Sequence, residues 1–326
     1  MYYKESNKIL QSIKSVKRVL ITSHKEPDAD SIGSVIAFHL SLKKIGVSSD
    51  LVCKDNVPEY LQFVPFLKKV KKVDFKDFNY GKYDLIIALD SSEWDQVVGS
   101  DLKNALPDKP IIVIDHHNSN KGYGEINLID KRSTSVSEMV YKMLVDWKLD
   151  IDEGIATNLL TGIIGDTGSF RYPGIGSETF DIASKLMKAG ADREKIILNL
   201  HFSTPFEELK YLAEILKEAE FDKKNKIVWA AISYEKYLKM GKPDGFGFAG
   251  AFFQVVKDTE IGIFMVEKEK GMVDVSFRAR RNIDVSRISV SLGGGGHKRA
   301  AGVKLKGIKF KDAVEKVLET ARKYTK

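Results

Sequence analysis

Three apolar runs, each ending in a group that can bind a cation, constrain this chain more than anything else in it. They are residues 18–23 (RVLITS), which lead into His24, residues 83–90 (YDLIIALD), and residues 110–115 (PIIVID), which lead into His116 and His117. Consecutive apolar residues without alternation mean strands covered on both faces, the pattern of a parallel sheet with helices on either side. A carboxylate closing such a run lies at the carboxyl edge of the sheet, where open α/β folds collect ligands. Left there without a partner it is costly to desolvate.

Between and after these runs the spacing changes to that of helices. Ile32, Val35, Ile36 and Leu40 recur at helical intervals, and Gly46 is placed to close that helix as a C-terminal cap. Residues 47–53 read as the next strand. Ser135 with Glu138 predicts a capping box opening a helix toward Trp147, and residues 153–164 predict a helix leading into Gly165-Asp166. After about residue 185 the pattern is different. Residues 181–221 read as mostly helical, interrupted by Pro205. Residues 226–233, 259–267 and 272–278 read as strands, 285–292 as a helix that meets a glycine loop, and 310–324 as an amphipathic final helix. The fold class expected is α/β: an N-terminal, mostly parallel sheet flanked by helices, linked to a smaller α+β domain. The boundaries expected are 1–188, a helical connector 189–212, and 213–326. Residues 246–253 (FGFAGAFF) form only a small Gly-rich apolar patch, and no internal repeat or low-complexity tract is present.

A chain of 326 residues, 43% hydrophobic and 30% charged, is long enough for two packed cores. Its net charge of +7 is mild support for a polyanionic partner. No run of roughly 18 apolar residues exists to span a bilayer, and residues 1–17 lack a signal-peptide core. The single cysteine, Cys53, excludes an internal disulfide and a thiolate metal cluster. A reducing, cytoplasmic setting is expected.

Five segments carry the chemistry. In His24-Lys25-Glu26-Pro27-Asp28-Ala29-Asp30, Pro27 fixes the backbone ahead of two carboxylates that repel unless a cation lies between them. The alternative reading of Asp28 is a helix cap. Asp90, in Leu89-Asp90-Ser91-Ser92, ends a buried run. Asp115-His116-His117 repeats that placement and adds two imidazoles; neighbours in extended chain point opposite ways, so one of the pair is expected to face the site and the other to serve behind it or in acid/base work. Gly165-Asp166-Thr167-Gly168 is expected to place a carboxylate in a glycine turn. Four of the six histidines, His24, His116, His117 and His297, fall within these segments; His39 and His201 are read as structural. Mixed His and Asp donors without Cys suit divalent manganese, with magnesium, cobalt or zinc as alternatives. The fifth segment, Gly293-Gly294-Gly295-Gly296-His297, fits neither a helix nor a strand at reasonable cost. With Arg278, Arg280 and Arg281 at the end of a strand, it reads as a phosphate-binding surface.

Together these residues resemble the DHH/DHHA1 phosphoesterase family, named for an Asp-His-His triplet found here at 115–117. The resemblance runs from His24 to Gly302 and includes Ala300-Ala301-Gly302 after the glycine loop; length points to its stand-alone nano-RNase and pAp-phosphatase subgroup. It implies one cation held by His24, Asp28 and Asp90 and a second by Asp30, Asp90, His116 and Asp166, with Asp90 shared. It implies Asp115 and His117 as neighbours of the reacting groups, His117 as a proton donor or phosphate contact. Arg278, Arg280, Gly294, Gly295, Gly296 and His297 would grip the substrate, in a cleft between the domains. Ala279 departs from the family pattern, in which Ser often follows the Arg.

The expected activity is manganese-dependent hydrolysis of short oligonucleotides or dinucleotides, such as pApA, nanoRNA and cyclic di-AMP, to mononucleotides by in-line attack of a metal-activated water. Alternatives are a 3′-phosphatase acting on pAp and a manganese-dependent inorganic pyrophosphatase, against which the GGGGH loop argues. A non-catalytic nucleotide-binding module is suggested only by the basic charge. Neither a membrane nor stable duplex DNA is an expected partner; a second copy of the chain is.

Overall fold

The computed structural model describes residues 1–99, 102, 106–172, 174–243, 250, 252–280, 283–296 and 298–325. It divides into two compact units, Met1–Ser203 and Thr204–Lys326. His297, Arg281 and most of the 246–253 patch lie outside the described residues.

The first unit runs α1 (Ser6–Lys14), β1 (Arg18–Thr22), α2 (Ala29–Lys44), β2 (Ser48–Cys53), β3 (Val70–Lys72), β4 (Leu85–Leu89), α3 (Trp94–Val98), β5 (Ile111–Asp115), β6 (Ile126–Ile129), α4 (Val136–Asp146), α5 (Glu153–Asp166), α6 (Ser177–Lys188) and α7 (Arg193–His201). Its six strands are ordered β3-β2-β1-β4-β5-β6, and every neighbouring pair is parallel. Alternate residues of the apolar runs feed opposite faces. Val19, Ile21, Ile87, Leu89, Ile112 and Ile114 enter the core beneath α2, α4 and α5, while Leu20, Ile86, Ala88 and Val113 enter a smaller one with Trp94. That two-sided burial is why the runs show no alternation. The order reverses between β1 and β4, so the carboxyl ends of those strands flank the crevice where such sheets bind ligands.

Gly46 caps α2 as expected. At φ +77° it occupies the left-handed region, its N–H donates to the Lys43 carbonyl, and the Val47 N–H donates to the Leu42 carbonyl. The Ser135–Glu138 capping box forms only by half. Ser135 Oγ accepts from the Glu138 N–H at 3.0 Å, but the Glu138 carboxylate is buried and turns to Lys142 instead. The complete box is at α2, where Asp28 Oδ1 accepts from the Ser31 N–H and Ser31 Oγ accepts from the Asp28 N–H, both at 2.9 Å.

The second unit comprises α8 (Phe206–Lys217), β7 (Glu220–Asp222), β8 (Ile227–Ile232), α9 (Tyr234–Lys239), β9 (Ile261–Glu269), β10 (Met272–Ala279), a helix Val285–Ser291, β11 (Gly295–Gly296), β12 (Ala300–Lys306) and a last helix Phe310–Arg322. The sheet order is β11-β12-β10-β9-β8-β7, with only β8 and β9 parallel. β10 alternates cleanly: Val273, Val275, Phe277 and Ala279 are buried, and Asp274, Ser276 and Arg278 occupy the other face. The helical stretch expected as a connector divides between the units, with Ile196 of α7 in the first core and Ile215 of α8 in a core of the second.

Candidate metal centre

At the crevice beyond β1 and β4, four of the sequence segments converge. Asp90 directly follows β4 and His24 lies two residues beyond β1; Asp28 and Asp30 open α2; His116 and His117 follow β5; Asp166 closes α5. His24 Nε2 lies 3.7 Å from Asp28 Oδ1 and 3.4 Å from Asp90 Oδ2. His116 Nε2 lies 3.2 Å from Asp166 Oδ2 and 3.6 Å from Asp90 Oδ1. The ligand atoms of three groups lie within 4.8 Å of one another: His24/Asp28/Asp90, Asp30/His116/Asp166 and Asp90/His116/His117. Asp90 belongs to two of them.

Local structure explains each placement. Asp90 has φ +56°, a left-handed conformation that Asp tolerates better than most residues. It turns the chain out of β4 while its N–H stays bonded to the Ile114 carbonyl. Asp28 is both helix cap and site residue, so the two readings of it describe one geometry. Asp30, in the first turn of α2, is buried, and its carboxylate accepts from the Val136 and Ser137 N–H groups at 2.6 and 2.9 Å. These amides are the free N-terminus of α4, which favours an anion.

Asp166 is not in a glycine turn. α5 continues through it, and Gly165 serves packing rather than backbone freedom: a Cβ there would meet Ala29 Cβ at 2.6 Å. The same contact continues along the helix pair, where a Cβ on Gly162 would meet Asp30 Oδ1 at 2.6 Å and one on Gly33 would meet the Asn158 carbonyl oxygen at 2.4 Å. Glycines on α2 and α5 therefore allow the close approach that sets Asp30 beside Asp166. Gly168, at φ +55°, makes the turn that follows.

The reason expected for a division of roles between His116 and His117, their pointing opposite ways, does not hold. β5 ends at Asp115, so the strand alternation behind that expectation no longer applies, and the two rings sit 4.7 Å apart, both against Asp90. Their supports differ. His116 Nδ1 faces the Ser133 carbonyl at 3.3 Å, which turns Nε2 toward the carboxylates. His117 Nδ1 is 2.7 Å from Asp115 Oδ1, and the other oxygen of Asp115 accepts from Asn120 Nδ2 at 2.7 Å. Asn120 is buried and was not signalled by any spacing in the sequence.

The donor set fits cations. Asp90 Oδ1 is buried and has no hydrogen-bond partner, which is rare for a carboxylate oxygen. Burial, then the charge of Asp90, pushes Asp30 up to about 7. Burial, then Asp30 and Asp90, raises Asp166 well above the usual carboxylate range. Burial acts against a charged His117, yet Asp115 and Asp90 override it and lift the ring to about 9. Carboxylates that cannot all ionise together are relieved by a divalent ion among them. His39 and His201 have ordinary partners away from the cluster, the hydroxyls of Ser49 at 2.7 Å and Ser169 at 2.5 Å.

In the second unit, Arg278 is half-buried and bonds the Phe277 carbonyl; Arg280 is exposed and bonds the Val256 carbonyl at 3.0 Å. Arg278 lies opposite Ala300 on β12, and Gly296 opposite Ala301, so both stand at one end of the sheet. The glycine segment is not wholly irregular, because Gly295 and Gly296 pair with Gly302 and Ala301. A side chain is excluded at Gly294, whose Cβ would meet the Gly302 carbonyl oxygen at 2.3 Å and Ser289 Oγ at 2.5 Å. Gly295 is open, with nothing within 4 Å of that position.

Comparison with known proteins fits this architecture. Residues 18–163 match the DHH family N-terminal domain, and 248–326 match the DHHA1 domain. A protein of Thermus thermophilus named bifunctional oligoribonuclease and PAP phosphatase NrnA is 29% identical over 98% of this chain and 94% of its own length. The cyclic-di-AMP phosphodiesterase GdpP of Bacillus subtilis is 24% identical over 98% of this chain, which spans half of that protein. The crystal structure of an exopolyphosphatase-related protein from Bacteroides fragilis superposes with a TM-score of 0.91 at 21% identity, covering 98% of this chain and 96% of that one. No described helix is long and apolar enough to cross a membrane. The chain belongs to the DHH/DHHA1 family of phosphoesterases.

Proposed function

We propose that this chain hydrolyses short oligonucleotides and dinucleotides to mononucleotides with two divalent cations, manganese first among them. The observation that carries the reading is the buried Asp90 Oδ1, which has no hydrogen bond and lies 3.6 Å from each of two imidazoles. The names of the Thermus and Bacillus relatives supply the substrate class: oligoribonucleotides, pAp and cyclic di-AMP.

His24, Asp28 and Asp90 would hold one cation, and Asp30, Asp90, His116 and Asp166 the other. When bound, such a pair lowers the pKa of a water and neutralises charge on the phosphoryl group. The chain's own groups do the rest. Asp115, fixed by Asn120, keeps a proton on His117 Nδ1 and favours the protonated ring, which would make His117 a proton donor to a phosphoryl or leaving oxygen. The α4 amides hold Asp30 against rotation. In the second unit we assign Arg278, Arg280, the exposed backbone of Gly295 and Gly296, and His297 to phosphate contact.

The test is metal-free protein assayed with and without manganese on pApA, cyclic di-AMP, pAp and pyrophosphate. Manganese-dependent AMP release from pApA, abolished by Asp90→Asn, is the expected result. Faster turnover of pyrophosphate than of any nucleotide would overturn it. A 3′-phosphatase is the second reading, favoured by the PAP phosphatase in the Thermus relative's name; it predicts pAp as the fastest substrate.

A further inference from the structure

Behind the cation site lies a buried polar network that the proposed chemistry does not use. Glu138, 3% exposed, receives Lys142 Nζ at 2.7 Å on one carboxylate oxygen. On the other it receives the Thr134 and Thr179 hydroxyls at 2.6 and 2.8 Å. Lys142, 6% exposed, also reaches Glu178 Oε2 at 2.7 Å. Burying two charges is expensive unless each is paired and its remaining hydrogen-bonding positions are filled. Here they are. An ordinary capping box would have sent the Glu138 carboxylate to the backbone N–H of Ser135; its diversion to Thr134 therefore has a different object.

That object is the segment 133–137, clamped at Thr134 by Glu138 and at Ser135 by the half-formed cap. It presents three backbone groups to the site: the Ser133 carbonyl to His116 Nδ1, and the Val136 and Ser137 N–H groups to Asp30. Asp30 and His116 belong to the same cluster, with Asp166. Among the described residues, the opposite cluster, His24/Asp28/Asp90, takes no hydrogen bond from this segment; Asp28 is held by α2's own amides.

We propose that Glu138 and Lys142, acting through Thr134, are positioning residues for the Asp30/His116/Asp166 half of the site and not for the other half. The inference rests on the two-cation reading above. Groups hydrogen-bonded directly to a ligand are worth about 10- to 100-fold in metal affinity; Thr134 and Glu138 act through the backbone of residues 133–137, so about 10-fold, the lower end, is expected of them.

Isothermal titration of metal-free protein with manganese, paired with manganese EPR, tests this without reference to turnover. Wild type should bind two ions. Thr134→Val, which removes one hydroxyl and keeps the side-chain shape, and Glu138→Gln should each weaken one ion by about 10-fold and leave the other within about twofold. Asp28→Asn is the reference for the opposite half, so the double variant Thr134→Val/Asp28→Asn should weaken both steps. Far-UV circular dichroism confirms that each variant is folded, and Thr134→Val supplies the answer if Glu138→Gln is not. Equal weakening of both ions, or of neither, overturns the inference while the two-cation reading stands. Wild type that binds no manganese removes both.

Discussion

Gly33→Ala should destabilise this protein even though helix propensity alone says the reverse. Gly33 lies in the interior of α2, where alanine is worth about 1 kcal/mol more than glycine. A Cβ at that position would lie 2.4 Å from the Asn158 carbonyl oxygen and 3.1 Å from the Gly162 nitrogen. Both are main-chain atoms of α5, so no side-chain rotation relieves the clash, and reaching the 3.4 Å of ordinary contact needs the helices to part by about 1 Å. Overpacking of this kind costs about 1–3 kcal/mol, which leaves a net loss of up to ~2 kcal/mol after the propensity gain. The second effect is on the site. Asp30 rides on α2 and Asp166 on α5, and a displacement of about 1 Å at a reacting centre costs on the order of 100-fold in rate. Urea denaturation in EDTA reads the stability, and manganese titration with AMP release from pApA reads the site. A variant more stable by about 1 kcal/mol, with unchanged manganese affinity, would refute the argument that glycines pin these helices together.

Asp90→Asn keeps the shape and tolerates the left-handed backbone, so it should fold normally yet lose manganese binding and at least about 100-fold in activity; near-wild-type turnover would show that the shared carboxylate is not needed. In metal-free protein the Asp30 carboxyl, raised to about 7 against an unfolded value of 3.8, binds a proton in the native state after the unfolded state has lost its own. Its contribution to stability therefore falls as pH rises from about 4 to 7, by up to about 1.4 kcal/mol per pH unit, and is flat above. Chemical denaturation at several pH values should show a shallower decline in Asp30→Asn and none of this component in manganese; identical profiles in wild type and Asp30→Asn would refute it. Asn120→Ala frees one oxygen of Asp115 and should lower kcat more than manganese affinity, measured by steady-state rates beside titration, because its effect runs through His117.

Much of the site was legible because strands leave an unambiguous trace. Continuous apolar runs located β1, β4 and β5, and with them the sheet edge on which His24, Asp90 and His116 stand. Short edge elements were not legible: β3, with two exposed lysines, and β11, with two glycines, are held by a neighbour's backbone rather than by their own side chains. The packing role of the helical glycines was not legible for a related reason, and Gly165 was read as a turn. A glycine reads as a turn in a single sequence, but Gly33, Gly162 and Gly165 record how near another helix comes, which only the fold reveals. Asn120 and Glu138 were opaque because their partners are buried side chains, some far along the chain.

The charge balance at the crevice shows why these helices had to be placed as they are. Asp28 is satisfied by α2's first amides and Asp30 by those of α4, so two carboxylates are answered by helix N-termini rather than by cationic side chains. Asp115 is answered by Asn120 and His117. Asp90 and Asp166 face only imidazoles and other carboxylates among the contacts described, and Asp90 keeps one oxygen without a hydrogen bond. A lysine or arginine placed there would lie between the carboxylates and compete with a cation for them. Helix amides lower the cost of gathering carboxylates without occupying the space between them, and they leave Asp90, which belongs to two of the three groups, with an oxygen free of hydrogen bonds.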